Sequence, residues 1–159
     1  WYWDDRSCDG TTMTHVRQQI REQVASTCTG LATTGSNVFQ SRVYPLQDSN
    51  LPALLIYTTN EDSGTDIMGS SLVSQREVSV LIEGFVKATT NFDDTVDTIC
   101  AEVETALGAD RTLNNLAKFI QLTSTEISYN GEGESPVGVV RLNYAVQYRT
   151  AVNDPQTPL

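Results

Sequence analysis

The sequence predicts an α+β domain, in which a mostly antiparallel or mixed β-sheet carries two amphipathic helices on one face. Three patterns support this class. Two segments repeat apolar residues at helical spacing, and two others alternate apolar and polar residues as half-buried strands do. Turn-rich connectors of the hairpin type separate several of the strands. The predicted order is helix, strand, strand, strand, helix, strand, strand, and 159 residues suit one domain.

The first helix is predicted over Thr14–Cys28, with Thr14 as its N-cap. Gly30 is a reasonable stop signal, because glycine adopts the left-handed conformation that ends many helices. The apolar stripe of this helix repeats every four residues and consists of Val16, Ile20, Val24 and Cys28.

Three strands are predicted to follow, over Asn37–Val43, Ala53–Thr58 and Gln75–Ala88. The second is a continuous apolar run, which favours a buried central strand. The third alternates over its whole length, which is the strongest strand signal in the chain. Its inward-facing residues are predicted to be Val78, Val80, Ile82 and Val86. The segment Thr59–Ser74 has no period and carries several acidic residues, so we expect a long polar loop there.

The second helix is predicted over Asn91–Leu107, with Asn91 as N-cap and Gly108 as the stop signal. Two aspartates in its first turn suit the positive end of the helix dipole. The acidic side chains further along the helix are expected to face solvent, and they are Asp97, Glu102 and Glu104.

A closing hairpin is predicted from a strand over Ala117–Tyr129, irregular near Thr123, and a last strand over Val137–Thr150. The segment Asn130–Glu134 supplies the turn residues. We therefore expect a single domain over residues 13–152. An N-terminal extension over residues 1–12 precedes it, and an extended C-terminal tail over residues 153–159 follows it.

The composition disfavours several classes of protein. The formal net charge of −10 disfavours a protein that grips nucleic acid, because phosphate binding needs lysine and arginine. No apolar run approaches the roughly 18 residues that span a bilayer, and the first residues do not resemble a signal peptide. The three cysteines lack zinc-like spacing, so we expect no metal or cofactor and interpret Cys28 and Cys100 as buried free thiols.

No catalytic constellation is evident in the sequence. The single imidazole, His15, lies in the first turn of a predicted helix, where a structural or solvated role is expected. The chain has no nucleophile elbow, zinc-protease motif, phosphate-binding loop or dinucleotide fingerprint. Acidic pairs such as Glu61 and Asp62 are adjacent in sequence, which does not place two carboxylates at one reacting centre. An enzyme is therefore disfavoured.

The segment RVYPL followed by LPALLIYT, after the helix that opens MTHVRQQIRE, resembles the tail terminator (minor tail protein U-like) family of long-tailed bacteriophages. The resemblance continues through an acidic segment, the strand REVSVLIEGFVKA, the helix that begins NFDDTVDTI and the hairpin that ends RLNYAVQYRT. It covers residues 13 to about 152.

The resemblance implies a structural virion protein that forms a homohexameric ring. Such a ring caps the head-proximal end of the tail tube, stops its polymerisation and offers a docking surface to the head-completion or connector protein. Assembly in the host cytoplasm, and DNA passing through an acidic lumen without specific binding, follow from the same resemblance. Residues proposed for contacts in the ring, lumen or tube are Arg42, Glu61, Asp62, Asp66, Arg76, Arg141 and Arg149.

Three other functions remain open from the sequence. The chain could be a head-completion or stopper protein of the phage neck. It could be a small cytosolic enzyme or ligand-binding domain, which a pocket with converging polar groups would favour. It could also be an interaction module with no role in a virion. Oligomeric state and shape separate these alternatives best.

Overall fold

A computed structural model describes residues 14–40, 47–67, 72–87, 90–130 and 137–159. Within these ranges the chain forms two α-helices and one six-stranded sheet. The predicted extension over residues 1–12 lies outside them. The elements in chain order are α1 Val16–Cys28, β1 Val38–Phe39, β2 Ala53–Ile67, β3 Val73–Lys87, α2 Phe92–Ala109, β4 Phe119–Asn130, β5 Val137–Ala151 and β6 Asp154–Pro158.

The sheet has the strand order β1-β2-β3-β5-β4, and β6 pairs with the end of β5. The β1–β2 pair is parallel and all other pairs are antiparallel. Both helices contribute to a single apolar core on one face of the sheet. The predicted α+β class, with a mostly antiparallel sheet, is therefore confirmed. The central strand is β3 and not β2, which lies next to the short edge strand β1.

Helix α1 buries the predicted stripe Val16, Ile20, Val24 and Cys28, and Ala25 joins it. The predicted N-cap was wrong by one residue. His15 caps the helix, and its Nδ1 accepts a hydrogen bond of 3.0 Å from the backbone N–H of Arg17. Gly30 follows the last turn with a φ of +89°, as the stop signal predicted.

The prediction of a polar loop over residues 59–74 was wrong. Strand β2 continues to Ile67, and β3 begins at Val73. The two strands pair from Ala53 opposite Phe85 to Ile67 opposite Val73. A polar sequence can form a strand where a neighbour supplies the ladder of backbone hydrogen bonds and solvent supplies partners for the side chains. We call the part of this pair formed by residues 61–67 and 73–78 the ribbon.

Helix α2 begins after Asn91, as predicted, and buries Val96, Ile99, Cys100, Val103 and Leu107. The predicted stop at Gly108 was wrong, because the helix includes Gly108 and ends at Ala109. Glu102 also differs from the prediction of a solvated side chain. Its carboxylate accepts hydrogen bonds of 3.1 Å from the backbone N–H and 3.0 Å from the hydroxyl of Thr33.

The closing hairpin is formed by β4 and β5, as predicted. The register shifts between Leu122 and Ser124, so the irregularity expected near Thr123 is a β-bulge. Strand β5 buries alternate residues along its length. The C-terminal segment is extended, as expected, but it also forms β6 beside β5, which the sequence did not predict.

Candidate functional site

A charged cluster lies at the base of the ribbon, beside the N-terminal end of α1. The Glu61 carboxylate accepts a hydrogen bond of 3.0 Å from Arg76 Nη1 and one of 2.6 Å from the Tyr148 hydroxyl. Arg17 Nη1 lies 3.4 Å from the same carboxylate. The side chains of Glu61 and Arg76 are only 12% and 18% exposed, so water screens their attraction weakly. The cluster therefore joins β2, β3, β5 and α1.

A bulge in β2 directs Glu61 into this cluster. Thr58 pairs with Val80, but Glu61 pairs with Val78, so β2 has one extra residue between these pairs. Side chains normally alternate between faces, which would place residues 58 and 61 on opposite sides. The extra residue brings both to the helix-covered side. Glu61 therefore joins the partly buried charged cluster, although it lies in a polar segment of the sequence.

Burial changes the pKa of titratable groups near Glu61. Desolvation raises the pKa of the Tyr148 phenol, and its hydrogen bond to Glu61 raises it further. Partial burial lowers the pKa of His15 below 6.5, and the charge of Arg17 lowers it further. A neutral imidazole is also what the N-cap requires, since Nδ1 must accept from the Arg17 N–H.

The face of the sheet away from the helices carries a second charged pair. Arg141 Nε donates a hydrogen bond of 2.8 Å to Glu83, which lies directly opposite on β3. This bond is the main reason that the pKa of Arg141 is raised. Apolar side chains share this open face, with Leu55 and Leu81 buried and Phe85 half-buried. The mixture of charged and apolar residues is typical of a protein contact surface.

The structure brings only two of the predicted interface residues together. Glu61 and Arg76 form the internal pair at the ribbon base. Asp62 is exposed and accepts a hydrogen bond from Asn60. Arg141 pairs with Glu83, and Arg149 is half-buried near the other end of β5. Two predictions cannot be placed further, because Arg42 and the side chain of Asp66 lie outside the described residues.

Three members of these groups were not selected as site residues from the sequence, namely Arg17, Tyr148 and Glu83. Each lies on an element whose face was predicted, but the partner depends on strand register across the sheet. Glu83 and Arg141 carried the clearest signal, because opposite charges at polar positions of two alternating strands favour cross-strand pairing.

Metal-ligating side chains are dispersed over the described residues. Among them, no group of three or more His, Cys, Asp or Glu side chains could hold a metal ion. Burial raises the pKa of the Cys28 thiol to about 12, which makes it a poor nucleophile. In the described part of the chain, no helix is long and apolar enough to cross a membrane.

A protein-family model matches most of the chain. The family model described as Phage minor tail protein U matches residues 15–148. A solved structure, the "Virion of native gene transfer agent (GTA) particle", matches with 16% identity and a TM-score of 0.45, over 89% of this chain and 97% of that chain. No curated protein matches the chain.

Proposed function

The chain belongs to the phage minor tail protein U family, and we propose that it is a tail terminator, which closes the head-proximal end of the tail tube as a homohexameric ring. Membership of this family makes it a structural, tail-related virion protein and not an enzyme. In the proposed role the ring stops tube polymerisation and presents its other side to the head-completion or connector protein. The family match over residues 15–148 carries the proposal, and it lies inside the predicted domain of residues 13–152.

Charge supports the proposed passage of DNA through the ring. The net charge of −10 disfavours binding to phosphates, so a lumen lined by acidic residues would let DNA move without specific contacts. Asp62 and Glu77 are exposed on neighbouring strands of the ribbon and are our candidates for this lining. Asp66, in the same part of β2, remains a candidate. The location at the head–tail junction and assembly in the host cytoplasm belong to the same proposal.

A closed ring needs head-to-tail contacts between two different surfaces of each copy. The open face around Arg141 and Arg149 is our candidate for one of them. Arg141 is already bonded to Glu83, but its side chain is still 39% exposed, so its remaining N–H groups can reach a carboxylate of a neighbouring copy. Arg42 stays a candidate for the same kind of contact. Glu61 and Arg76 are better suited to fixing the ribbon, because they bind each other.

Ring formation can be tested by native mass spectrometry and negative-stain microscopy. We expect hexamers from the unmodified protein and their loss when Arg141→Glu and Arg149→Glu are combined. A matched control is the swap Glu83→Arg with Arg141→Glu, which keeps an internal ion pair but reverses the charge at position 141. Hexamers that persist in the Arg141→Glu and Arg149→Glu variant would exclude both arginines from the interface.

The proposed role is separated from that of a neck stopper by the tails that a phage makes without this protein. Loss of a terminator should give tails of uncontrolled length, because nothing ends tube polymerisation. Loss of a stopper should leave tails of normal length that fail to join heads or heads that leak DNA. Tail-length distributions from electron microscopy decide between them, and normal lengths would overturn the proposal.

A further inference from the structure

Strand β4 extends beyond the part of the sheet that the helices cover. Helix α2 packs mainly over β3 and β5, while β4 is the last strand of the sheet. Among the described residues, no strand pairs with its outer edge. On the helix side of β4, Ile127 and Tyr129 are 53% and 60% exposed. Large apolar side chains on an unpaired edge strand commonly mark a contact surface.

Helix α2 and strand β4 run alongside each other in opposite directions and enclose a groove, which we call the α2–β4 groove. At one end, the rings of Phe92 and Tyr129 lie 5.9 Å apart. At the other end, Leu107 on α2 and Leu122 on β4 line the same cavity. Seven strand residues and fifteen helical residues both span about 23 Å, so α2 and β4 lie side by side between these two ends.

A cavity of about 280 Å³ opens at the second end of the groove. Its walls include Leu107, Ile120 and Leu122, and Tyr144 also lines it. Tyr144 is only 4% exposed, and its hydroxyl has no hydrogen-bond partner among the described residues. Buried hydroxyl groups are normally paired. The cavity therefore suits a side chain with an apolar body and a hydrogen-bonding tip, such as tyrosine.

The helical wall of the groove is acidic. Asp93, Asp97 and Glu104 are exposed, and spacings of four and seven residues place them on one stripe of α2. Burial raises the pKa of the Cys100 thiol, and the charges of Glu104 and Asp97 raise it further, which places both carboxylates near that stripe. Helix α2 carries no basic residue, and Arg111 is the one basic residue that lines the cavity, counted over the described residues.

We propose that the α2–β4 groove binds a cationic amphipathic helix of a partner protein. The exposed feature is a sheet face beside a helix, which another helix of about 15 residues can cover along its length. Its apolar side packs on Ile127 and Tyr129, and one polar-tipped side chain enters the cavity and pairs with the Tyr144 hydroxyl. Its lysines or arginines lie against Asp97 and Glu104. This surface is separate from the open face and the ribbon, so the inference does not depend on the ring.

The test uses fluorescein-labelled helical peptides of 15 residues and the full chain, with fluorescence anisotropy as the readout. The probe is built from leucine and lysine at heptad spacing, and its acidic counterpart has glutamate for lysine. Ile127→Ser with Tyr129→Ser should weaken binding of the basic probe about tenfold or more, because two apolar contacts are lost. Val152→Ser with Leu159→Ser, at exposed apolar positions elsewhere, should leave it unchanged.

Charge and the cavity are tested separately. Asp97→Lys with Glu104→Lys should weaken the basic probe more than Asp62→Lys with Glu77→Lys, a control with the same change in net charge. A probe with one central tyrosine should bind more tightly than the all-leucine probe, and Tyr144→Phe should remove that gain.

Three results would overturn the proposal. The first is equal binding of the acidic and basic probes, and the second is equal loss of affinity in the groove variants and their controls. The third is a change in sedimentation of the groove variants without any peptide, which would show that a second copy of the chain covers the groove.

Discussion

Glu61 is predicted to contribute more to stability than any other acidic residue of the ribbon, and Glu61→Gln tests this. The substitution keeps the shape of the side chain but removes the charge that Arg76 and Arg17 share. A hydrogen bond to a charged group contributes about 1.5–3 kcal/mol, and the more exposed Arg17 pair adds about 0.2–1 kcal/mol. The glutamine oxygen can still accept from the Tyr148 hydroxyl. We therefore expect a loss of about 2–4 kcal/mol in the free energy of unfolding.

The loss is measured by urea unfolding followed by circular dichroism, at one protein concentration because assembly would add stability. For a chain of this length it corresponds to a decrease in Tm of about 4–16 °C. Asp62→Asn is the matched control, since Asp62 is adjacent but exposed, and it should change stability by less than about 0.5 kcal/mol. A double-mutant cycle of Glu61→Ala with Tyr148→Phe should show coupling of about 0.5–3 kcal/mol, because alanine, unlike glutamine, removes the acceptor of the Tyr148 hydroxyl. The reasoning fails if Glu61→Gln costs no more than Asp62→Asn.

Three further predictions concern the packing, the helix cap and the thiols. A Cβ at position 138 would meet the ring of Phe92 at 1.7 Å, so Gly138→Ala should lower the free energy of unfolding by about 1–3 kcal/mol; an unchanged urea midpoint would contradict this packing. The pKa of His15 is lowered in the folded state, so the unfolded state binds more protons just below pH 6.5, and stability should fall as the pH drops through this value. His15→Asn keeps a capping side chain without titrating, and it should flatten the pH dependence of stability between about pH 5 and 7; an identical pH profile for both proteins would refute the role of His15. Cys28, whose pKa is about 12, should resist alkylation by iodoacetamide in the folded protein and react on unfolding, as mass spectrometry would show; rapid modification of native protein would be the opposite result.

Local periodicity predicted the elements whose burial repeats regularly. The stripe of α1 and the alternation in β3 and β5 follow directly from side-chain geometry, and the structure buries the residues that these patterns selected. The irregularity near Thr123 was also visible, because the alternation of β4 breaks there. In each case the signal lies within one element, so no knowledge of distant partners was needed.

Features that depend on long-range pairing were missed. The segment 59–67 has no strand period, and it is extended because β3 provides its hydrogen-bonding partner. The short strand β6 contains two prolines and becomes a strand only through its contact with β5. Gly108 resembled a helix stop, but the helix continues past it for one residue before the chain turns at Asp110. Propensity is a weak prior in such positions, and tertiary context decides.

In the candidate site, too, the sequence did not predict what depends on long-range pairing. Residues 76 and 141 were selected for ion pairs with a neighbouring copy, and residue 61 for the lumen or the tube. Each of the three has a partner of opposite charge in its own chain. Sequence alone could not reveal this, because the bulge that turns Glu61 inward changes the face of the β2 residues that follow it, up to the second register shift after Thr65. The exposed Asp62 is a stronger candidate for outside contacts because the adjacent Glu61 is already satisfied.

The charged cluster around Glu61 lies at the point along β2 where the core of the sheet ends and the ribbon begins. Before it, Ala53–Ile56 are buried, and after it residues 62–65 are exposed. In the described part of the chain, β1 pairs with β2 only at Leu54 and Leu55, so the outer edge of β2 is unpaired along the ribbon. An unpaired edge can accept contacts from another chain, and a charged residue such as Asp62 limits nonspecific pairing there. In the proposed ring, a neighbouring copy that binds this edge would not disturb the core, because the charged cluster around Glu61 holds the base of the ribbon in place.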